Sequence, residues 1–245
     1  MKNLEHLTVI LPAAGEGRRL GLDIPKELYE ILPGKRLIDF SMELIPKEVK
    51  KTAVVIKEGK ESIPGYLLGR YPEHKFEFVY FNENYREWPG SVYSAKDHFS
   101  DYNAVLLPDT WLLPDRILSR PEGGGAMLER FVSLLKEYPA VFAAKKARGK
   151  VLRSLGALYL NERGKVEAFA DKPEKEFDRF NAFWCVYGFR GESGEEVYRA
   201  LIDSVEKKSD EDRLPFSAGG FIVADYFDLG TPERIALFKE KNTVN

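Results

Sequence analysis

Arg18, Arg19 and Lys26 stand just beyond a run of small residues, Ala13-Ala14-Gly15-Glu16-Gly17, that follows the apolar stretch Leu7-Thr8-Val9-Ile10-Leu11. Small side chains let backbone N–H groups approach a ligand closely, and guanidinium and ammonium groups nearby add fixed positive charge. Bare amides followed by cations make a cradle for a polyphosphate, with Leu11, Ala13, Ala14, Gly15 and Gly17 as the expected contact residues. Two common phosphate loops are excluded by spacing. A dinucleotide-binding loop needs its third glycine at position 20, which here is Leu20, and the acid expected at the end of the second strand is missing. A P-loop needs Gly-Lys-Ser/Thr, which does not occur after this run.

A second group able to do chemistry is Asp109, at the end of the apolar run Leu106-Leu107-Pro108. A carboxylate at a strand tip is a hard oxygen ligand, suited to a Mg²⁺ ion that also takes phosphate oxygens and waters. None of the three histidines, His6, His74 and His98, stands in a motif for general base catalysis.

The elements that must carry these residues follow from the hydrophobic pattern. Leu7–Leu11, Thr52–Ile56, Phe76–Phe81 and Ala104–Leu107 read as strands. Between them lie a helical stretch around 37–45, a poorer one interrupted by Pro64, and one opening at Pro89-Gly90. Strand, helix and strand at these intervals predict a mostly parallel sheet covered on both faces, with ligands beyond the carboxyl ends of the strands. The loop at 13–26 and Asp109 both lie at such ends and should share one cleft. Further on, a helix is expected at about 126–137 and a strand at 140–144. A strand-rich region follows from 155 to 189, turning at Asn161–Lys165, with helices at 193–206 and 232–241. The second half should mix antiparallel strands into the sheet.

Composition sets the outer bounds. The chain has 245 residues, 44% hydrophobic and 31% charged, with a formal net charge of −2. That balance gives no drive toward nucleic acid or an anionic membrane. One cysteine, Cys185, excludes an internal disulfide, and no Cys/His group has zinc spacing. No apolar run approaches membrane-spanning length and the N-terminal residues lack a signal-peptide core, so the chain is expected to be cytoplasmic. With the last expected helix close to the end of the sequence, no added C-terminal domain is expected. A homo-oligomer is compatible with all of this.

The segment Gly15-Glu16-Gly17-Arg18-Arg19-Leu20, closed by Pro25-Lys26-Glu27-Leu28, resembles the signature of the nucleotidyltransferases that activate sugar phosphates, G-x-G-T-R-L followed by P-K-x-L. Arg19 and Lys26 match that family's catalytic Arg and Lys, while Arg18 replaces the usual Thr. The short spacer from Arg19 to Pro25, and Pro12-Ala13-Ala14-Gly15 itself, look more like the cytidylyltransferases that act on polyol phosphates. Three further segments follow in the family's order. Leu106–Asp109 matches the metal-binding strand end. Ala170-Asp171-Lys172-Pro173 resembles Glu-Lys-Pro, whose acid and lysine hold the sugar phosphate, with Gly156 upstream matching a glycine at the acceptor. Phe227-Asp228-Leu229-Gly230-Thr231 resembles Trp-x-Asp-x-Gly-Thr, which makes Asp228 the second metal carboxylate. Gly90 matches the glycine whose backbone reads the base.

The resemblance runs from about residue 7 to 240. It implies a three-layer, Rossmann-like α/β fold with a mixed, mostly parallel sheet of the nucleotidyltransferase type. One domain over 1–245 would divide into a nucleotide-binding half, about 1–120, and an acceptor-binding half, about 121–245. It implies transfer of a nucleotidyl group from a nucleoside triphosphate, with Mg²⁺, to a phosphorylated small molecule, a sugar-1-phosphate being favoured. A polyol or other alcohol phosphate is the alternative acceptor. A non-catalytic nucleotide- or sugar-phosphate-binding subunit would instead account for the non-consensus Arg18 and Asp171, and for Ala182 or Asn181 where the family's Gly-x-Tyr strand has its glycine.

Overall fold

The computed structural model describes residues 4–17, 20–113, 123–207 and 213–243. The first half contains β1 (Leu7–Pro12), the hairpin β2 (Glu30–Leu32) and β3 (Lys35–Arg36), α1 (Asp39–Met42), β4 (Lys51–Ile56), α2 (Ser62–Arg70), β5 (Phe76–Tyr80), α3 (Glu87–Tyr93), β6 (Tyr102–Val105) and β7 (Thr110–Leu113). The second half adds α4 (Gly123–Leu135), β8 (Ala140–Lys146), β9 (Gly156–Leu160), β10 (Lys165–Asp171), β11 (Ala182–Arg190), α5 (Gly194–Val205), β12 (Ala218–Ile222), β13 (Asp225–Asp228) and α6 (Pro232–Thr243).

Nine strands form the main sheet in the order β5-β4-β1-β6-β11-β8-β12-β10-β9. It is mixed rather than mostly parallel, which corrects the sequence expectation. β5, β4, β1 and β6 are parallel neighbours. Beyond them β11 is antiparallel to both β6 and β8, and β10 is antiparallel to both β12 and β9, leaving β8–β12 as a parallel pair. The reason lies in the connections. Crossovers through α2 and α3 return the chain to the same end of the strands, whereas the turn at 161–164 joins β9 directly to β10, and a direct turn makes antiparallel partners.

Alternation along the strands sorts the core onto two faces. Val9, Leu11, Val54 and Ile56 pack with Ile63 and Leu67 of α2 and Met127 and Phe131 of α4. Ile10, Ala53, Val55 and Val105 pack with Val92 of α3 and Val197 and Leu201 of α5. The result is helix, sheet and helix in three layers. A third cluster, Ile31, Phe40, Leu229, Ile235 and Phe238, ties β2, α1 and α6 to the segment after β13.

Two helices differ from expectation. The stretch around 37–45 has a single α-turn, Asp39–Met42, and tight turns carry it on to Pro46, which disfavours a helical residue before it. Pro64 does not break α2, because it sits in the first turn, where its missing N–H would have no partner anyway. No helix among the described residues is long and apolar enough to cross a membrane.

Candidate active site

The site begins where β1 leaves the sheet. The Ala13 N–H donates to Leu11 O and, across to β4, to Val55 O at 2.8 Å, so the loop starts from a fixed point between two strands. Leu11 and Ala13 are fully buried and Ala14 nearly so. Gly17 has φ +66°, a conformation that favours glycine. A Cβ there would lie 3.1 Å from the Cβ of Lys26, and one on Gly15 would lie 3.7 Å from the Lys26 Nζ. The bare loop therefore lets the Lys26 side chain lie along it. Lys26 itself follows Pro25 on a short 3₁₀ turn, Lys26–Leu28. Arg18 and Arg19 lie outside the described residues.

From the loop, Lys26 Nζ donates to Asp109 Oδ2 at 2.5 Å. Asp109 and Asp228 are brought together by an element that the hydrophobic pattern does not reveal, the two-stranded ladder β7–β13. In its register Asp228 is opposite Thr110, the residue after Asp109, and the Leu229 N–H donates to Asp109 O at 2.9 Å. Asp228 Oδ1 accepts from the Gly230 N–H at 2.8 Å, and Oδ2 lies 3.5 Å from the Arg234 guanidinium. Both carboxylates bear on Tyr226, whose phenol burial pushes far up, with Cys185, Asp228 and Asp109 adding to the rise.

Two carboxylates at adjoining strand ends suit a hard cation. The described residues contain no group of three His, Cys, Asp or Glu side chains able to hold a metal. A Mg²⁺ ion bound here would take one or two protein carboxylates and complete its shell with phosphate oxygens and water, its usual habit.

The second group of residues lies on the β9–β10 hairpin, where Gly156 is paired with Asp171. Lys172 follows with φ 48°, its N–H donating to Leu155 O at 3.0 Å. Its side chain is 62% exposed, with Nζ 3.9 Å from the Asp171 carboxylate, so it is available to solvent and ligand. Burial pushes the Asp171 carboxyl above its usual range. Lys172 and Lys207 oppose that, while Glu87, at the start of α3, adds to it.

Gly156 has a neighbour that the sequence did not suggest. A Cβ at this position would lie 2.5 Å from Cδ1 and 2.7 Å from Cε2 of Trp184, so the indole occupies the space the glycine leaves. Trp184 packs in turn on Trp88 of α3, with ring centroids 5.0 Å apart. Gly90, two residues further along α3, is buried, and its Cβ direction faces Tyr85, 2.8 Å from that residue's Cβ. The first group of residues is thus Lys26, Asp109 and Asp228, and the second is Gly156, Asp171 and Lys172. α3 reaches the second group through Trp88 and Glu87.

Sequence reasoning passed over Lys60, Glu27 and Lys145. Lys60 is 5% exposed and Glu27 fully buried, and they form an ion pair at 2.9 Å beneath the loop. Lys145 of β8 pairs with Asp225 at the start of β13, bracing the strand that carries Asp228. Nothing local marks these residues, since a lysine in Lys57-Glu58-Gly59-Lys60 reads as a solvated turn.

No family model matches the chain. A 2-C-methyl-D-erythritol 4-phosphate cytidylyltransferase from Bacillus mycoides (strain KBAB4) is 27% identical over 139 residues, 56% of this chain and 57% of its own length. The chain spans about half the length of the curated relatives it matches. Solved structures match over nearly all of it. A UTP-bound UGPase from Acinetobacter baumannii superposes with a TM-score of 0.73 at 17% identity, covering 96% of this chain and 92% of its own. HddC from Yersinia pseudotuberculosis, complexed with GMP-PN, gives 0.66 at 18% identity, covering 97% and 99%. The chain shares their fold. The order of the sequence motifs, from the loop after β1 to the residues before α6, is thereby laid on a fold that these two nucleotide complexes also have.

Proposed function

We propose that this chain is a nucleotidyltransferase that moves a nucleotidyl group from a nucleoside triphosphate to a phosphorylated small molecule, a sugar-1-phosphate being the favoured acceptor. The observation that carries the reading is the meeting of Lys26, Asp109 and Asp228 at the mouth of the loop after β1. These residues are 83 and 202 positions apart along the chain, and a purely structural role for each would not require a common point.

In this reading an oxygen of the acceptor's phosphate monoester attacks the α-phosphorus. One P–O bond forms as the bond to the β-phosphate breaks, and pyrophosphate leaves with the electron pair. The obstacle is electrostatic, because a dianion must approach a triphosphate bearing about four negative charges. Leu11, Ala13, Ala14, Gly15 and Gly17 line the cradle; Gly90, whose N–H donates to Arg86 O and whose carbonyl accepts from Ser94, has no backbone group left to read the base. Lys26 neutralises oxygens on the transferring group, and Arg19 stabilises charge on it and on the departing pyrophosphate. Asp109 and Asp228 would hold a divalent cation, Mg²⁺, which would supply charge neutralisation and orient the phosphates. Lys172, exposed beside Asp171 and Gly156, positions the incoming phosphate. No general base is needed, since a phosphate monoester is already largely ionised near neutral pH.

Alcohol phosphates are the second reading of the acceptor, favoured by the short Arg19–Pro25 spacer and by the cytidylyltransferase relatives. In either case the chain acts as one nucleotidyltransferase domain, with the triphosphate on residues before about 120 and the acceptor after. The test is pyrophosphate release with Mg²⁺ from each of ATP, CTP, GTP, UTP and dTTP, paired with sugar-1-phosphates and alcohol phosphates. Release that requires one nucleotide and one acceptor together is expected. Nucleotide binding without release for any pair refutes the transferase reading and leaves a binding subunit.

A further inference from the structure

Resting on the reading of the β1 loop as a polyphosphate cradle, we propose that Lys60 is a positioning residue that sets which way the loop's peptide groups face. Lys60 lies in the turn after β4, the parallel neighbour of β1. Its side chain is 6% exposed, and a buried ammonium is tolerated when its protons find acceptors. Here they do, and the choice of acceptors is informative. One direction is toward the Glu27 carboxylate, 2.9 Å from both oxygens. The other two are main-chain carbonyls of the loop, Ala13 O at 2.6 Å and Gly15 O at 2.5 Å.

The peptide unit is planar and trans, so its C=O and N–H point in opposite directions. Drawing the Ala13 and Gly15 carbonyls down onto Lys60 turns the N–H groups of Ala14 and Glu16 the other way. A cradle for anions requires this orientation, since a flipped peptide would present the negative end of its dipole to the phosphates. Lys60 also links two parts of the site. Glu27 directly follows Lys26 on the 3₁₀ turn, so one ammonium ties the loop to the segment that aims Lys26 at Asp109. Burial draws the Lys60 pKa down and that of Glu27 up, and their mutual attraction opposes both shifts.

The test compares the wild type with the double variant Lys60→Met/Glu27→Gln, which removes both charges at once and strands neither in the core. Glu27→Gln alone is the companion, because it removes the carboxylate and leaves the two carbonyl bonds. Amide hydrogen exchange is read over residues 13–17 and, as a control, over the β9–β10 hairpin. Binding of inorganic tripolyphosphate, which needs no knowledge of the base, is read by calorimetry.

In the double variant, exchange of the Ala13 amide, which Val55 O protects, should rise about tenfold or more and tripolyphosphate affinity should fall about tenfold, with the hairpin unchanged. Where turnover is measurable, the KM for the triphosphate should rise while that for the acceptor stays put. In Glu27→Gln the loop should stay within about threefold of wild type. Loop exchange and affinity unchanged in the double variant overturn the proposal. An equal rise in both variants does so too, because the effect then follows the ion pair and not the carbonyl bonds. A wild type that fails to bind tripolyphosphate refutes the cradle reading instead, and the exchange comparison still decides whether Lys60 holds the loop.

Discussion

Gly156→Ala is the sharpest single probe of how the acceptor side is built. The new methyl carbon would start 2.5 Å from Trp184 Cδ1 and 2.7 Å from Cε2. Trp184 Nε1 lies nearer still, and since ordinary contacts lie at about 3.5–4.0 Å, the indole must retreat by roughly 1.5–2 Å. It cannot do so freely, because it packs on Trp88 at 5.0 Å and edge-on to Tyr187 at 5.9 Å. Overpacking of this kind costs about 1–3 kcal/mol, and the chain-entropy advantage of Ala over Gly returns about 0.5–1 kcal/mol. A net loss of up to about 2.5 kcal/mol follows, which for a chain of this size lowers Tm by up to about 10 °C. Urea and thermal unfolding, followed by tryptophan fluorescence, read both the loss and the displaced indole. The decisive control is Trp184→Phe, which vacates the contested space. Trp184 Nε1 has no hydrogen-bond partner among the described residues, so removing it strands no acceptor. In that background Gly156→Ala should be neutral or mildly stabilising, giving a coupling of about 1 kcal/mol or more. Equal destabilisation in both backgrounds would refute the argument that Gly156 exists to admit the indole.

Two further predictions concern the metal and pH. Asp109→Asn and Asp228→Asn should each raise the Mg²⁺ concentration for half-maximal pyrophosphate release by about tenfold or more, and an unchanged titration removes that residue from the cation site. His74 packs between Tyr71 and Phe76, and burial holds its pKa below the ordinary 6.5, against the opposing pull of Glu73 and Glu48. The unfolded chain therefore takes up the proton first as pH falls. The contribution of His74 is complete above about pH 6.5 and declines below it toward the folded pKa. The urea midpoint should fall between about pH 7 and pH 5.5, less steeply in His74→Phe, and parallel profiles would defeat the assignment.

Short-range patterns were legible in the residues themselves. The strand–loop–cation run from Leu7 to Leu28 follows from neighbours in sequence, as do the parallel strands β1, β4, β5 and β6, the amphipathic α4 and the helices α5 and α6. β12 was missed because Ala218-Gly219-Gly220 has none of the β-branched side chains that announce a strand. Those glycines are needed between crowded neighbours, since a Cβ on Gly219 would lie 2.6 Å from the Tyr138 ring and one on Gly220 2.9 Å from Leu160. β7 and β13 were missed because each has four residues and gains its meaning from pairing with the other.

By itself, then, the sequence determined which groups could do chemistry and in what order they come, because residue type and spacing are local properties. Tertiary structure alone decided which of them meet. The β7–β13 register sets Asp228 beside Asp109, the β9–β10 register sets Gly156 opposite Asp171, and strand order brings the turn after β4 beneath the loop after β1. Lys60 became a buried tether for that last reason. Its acceptors lie 33 to 47 residues away, and an ammonium stays out of water where the fold has already gathered enough oxygens to replace it.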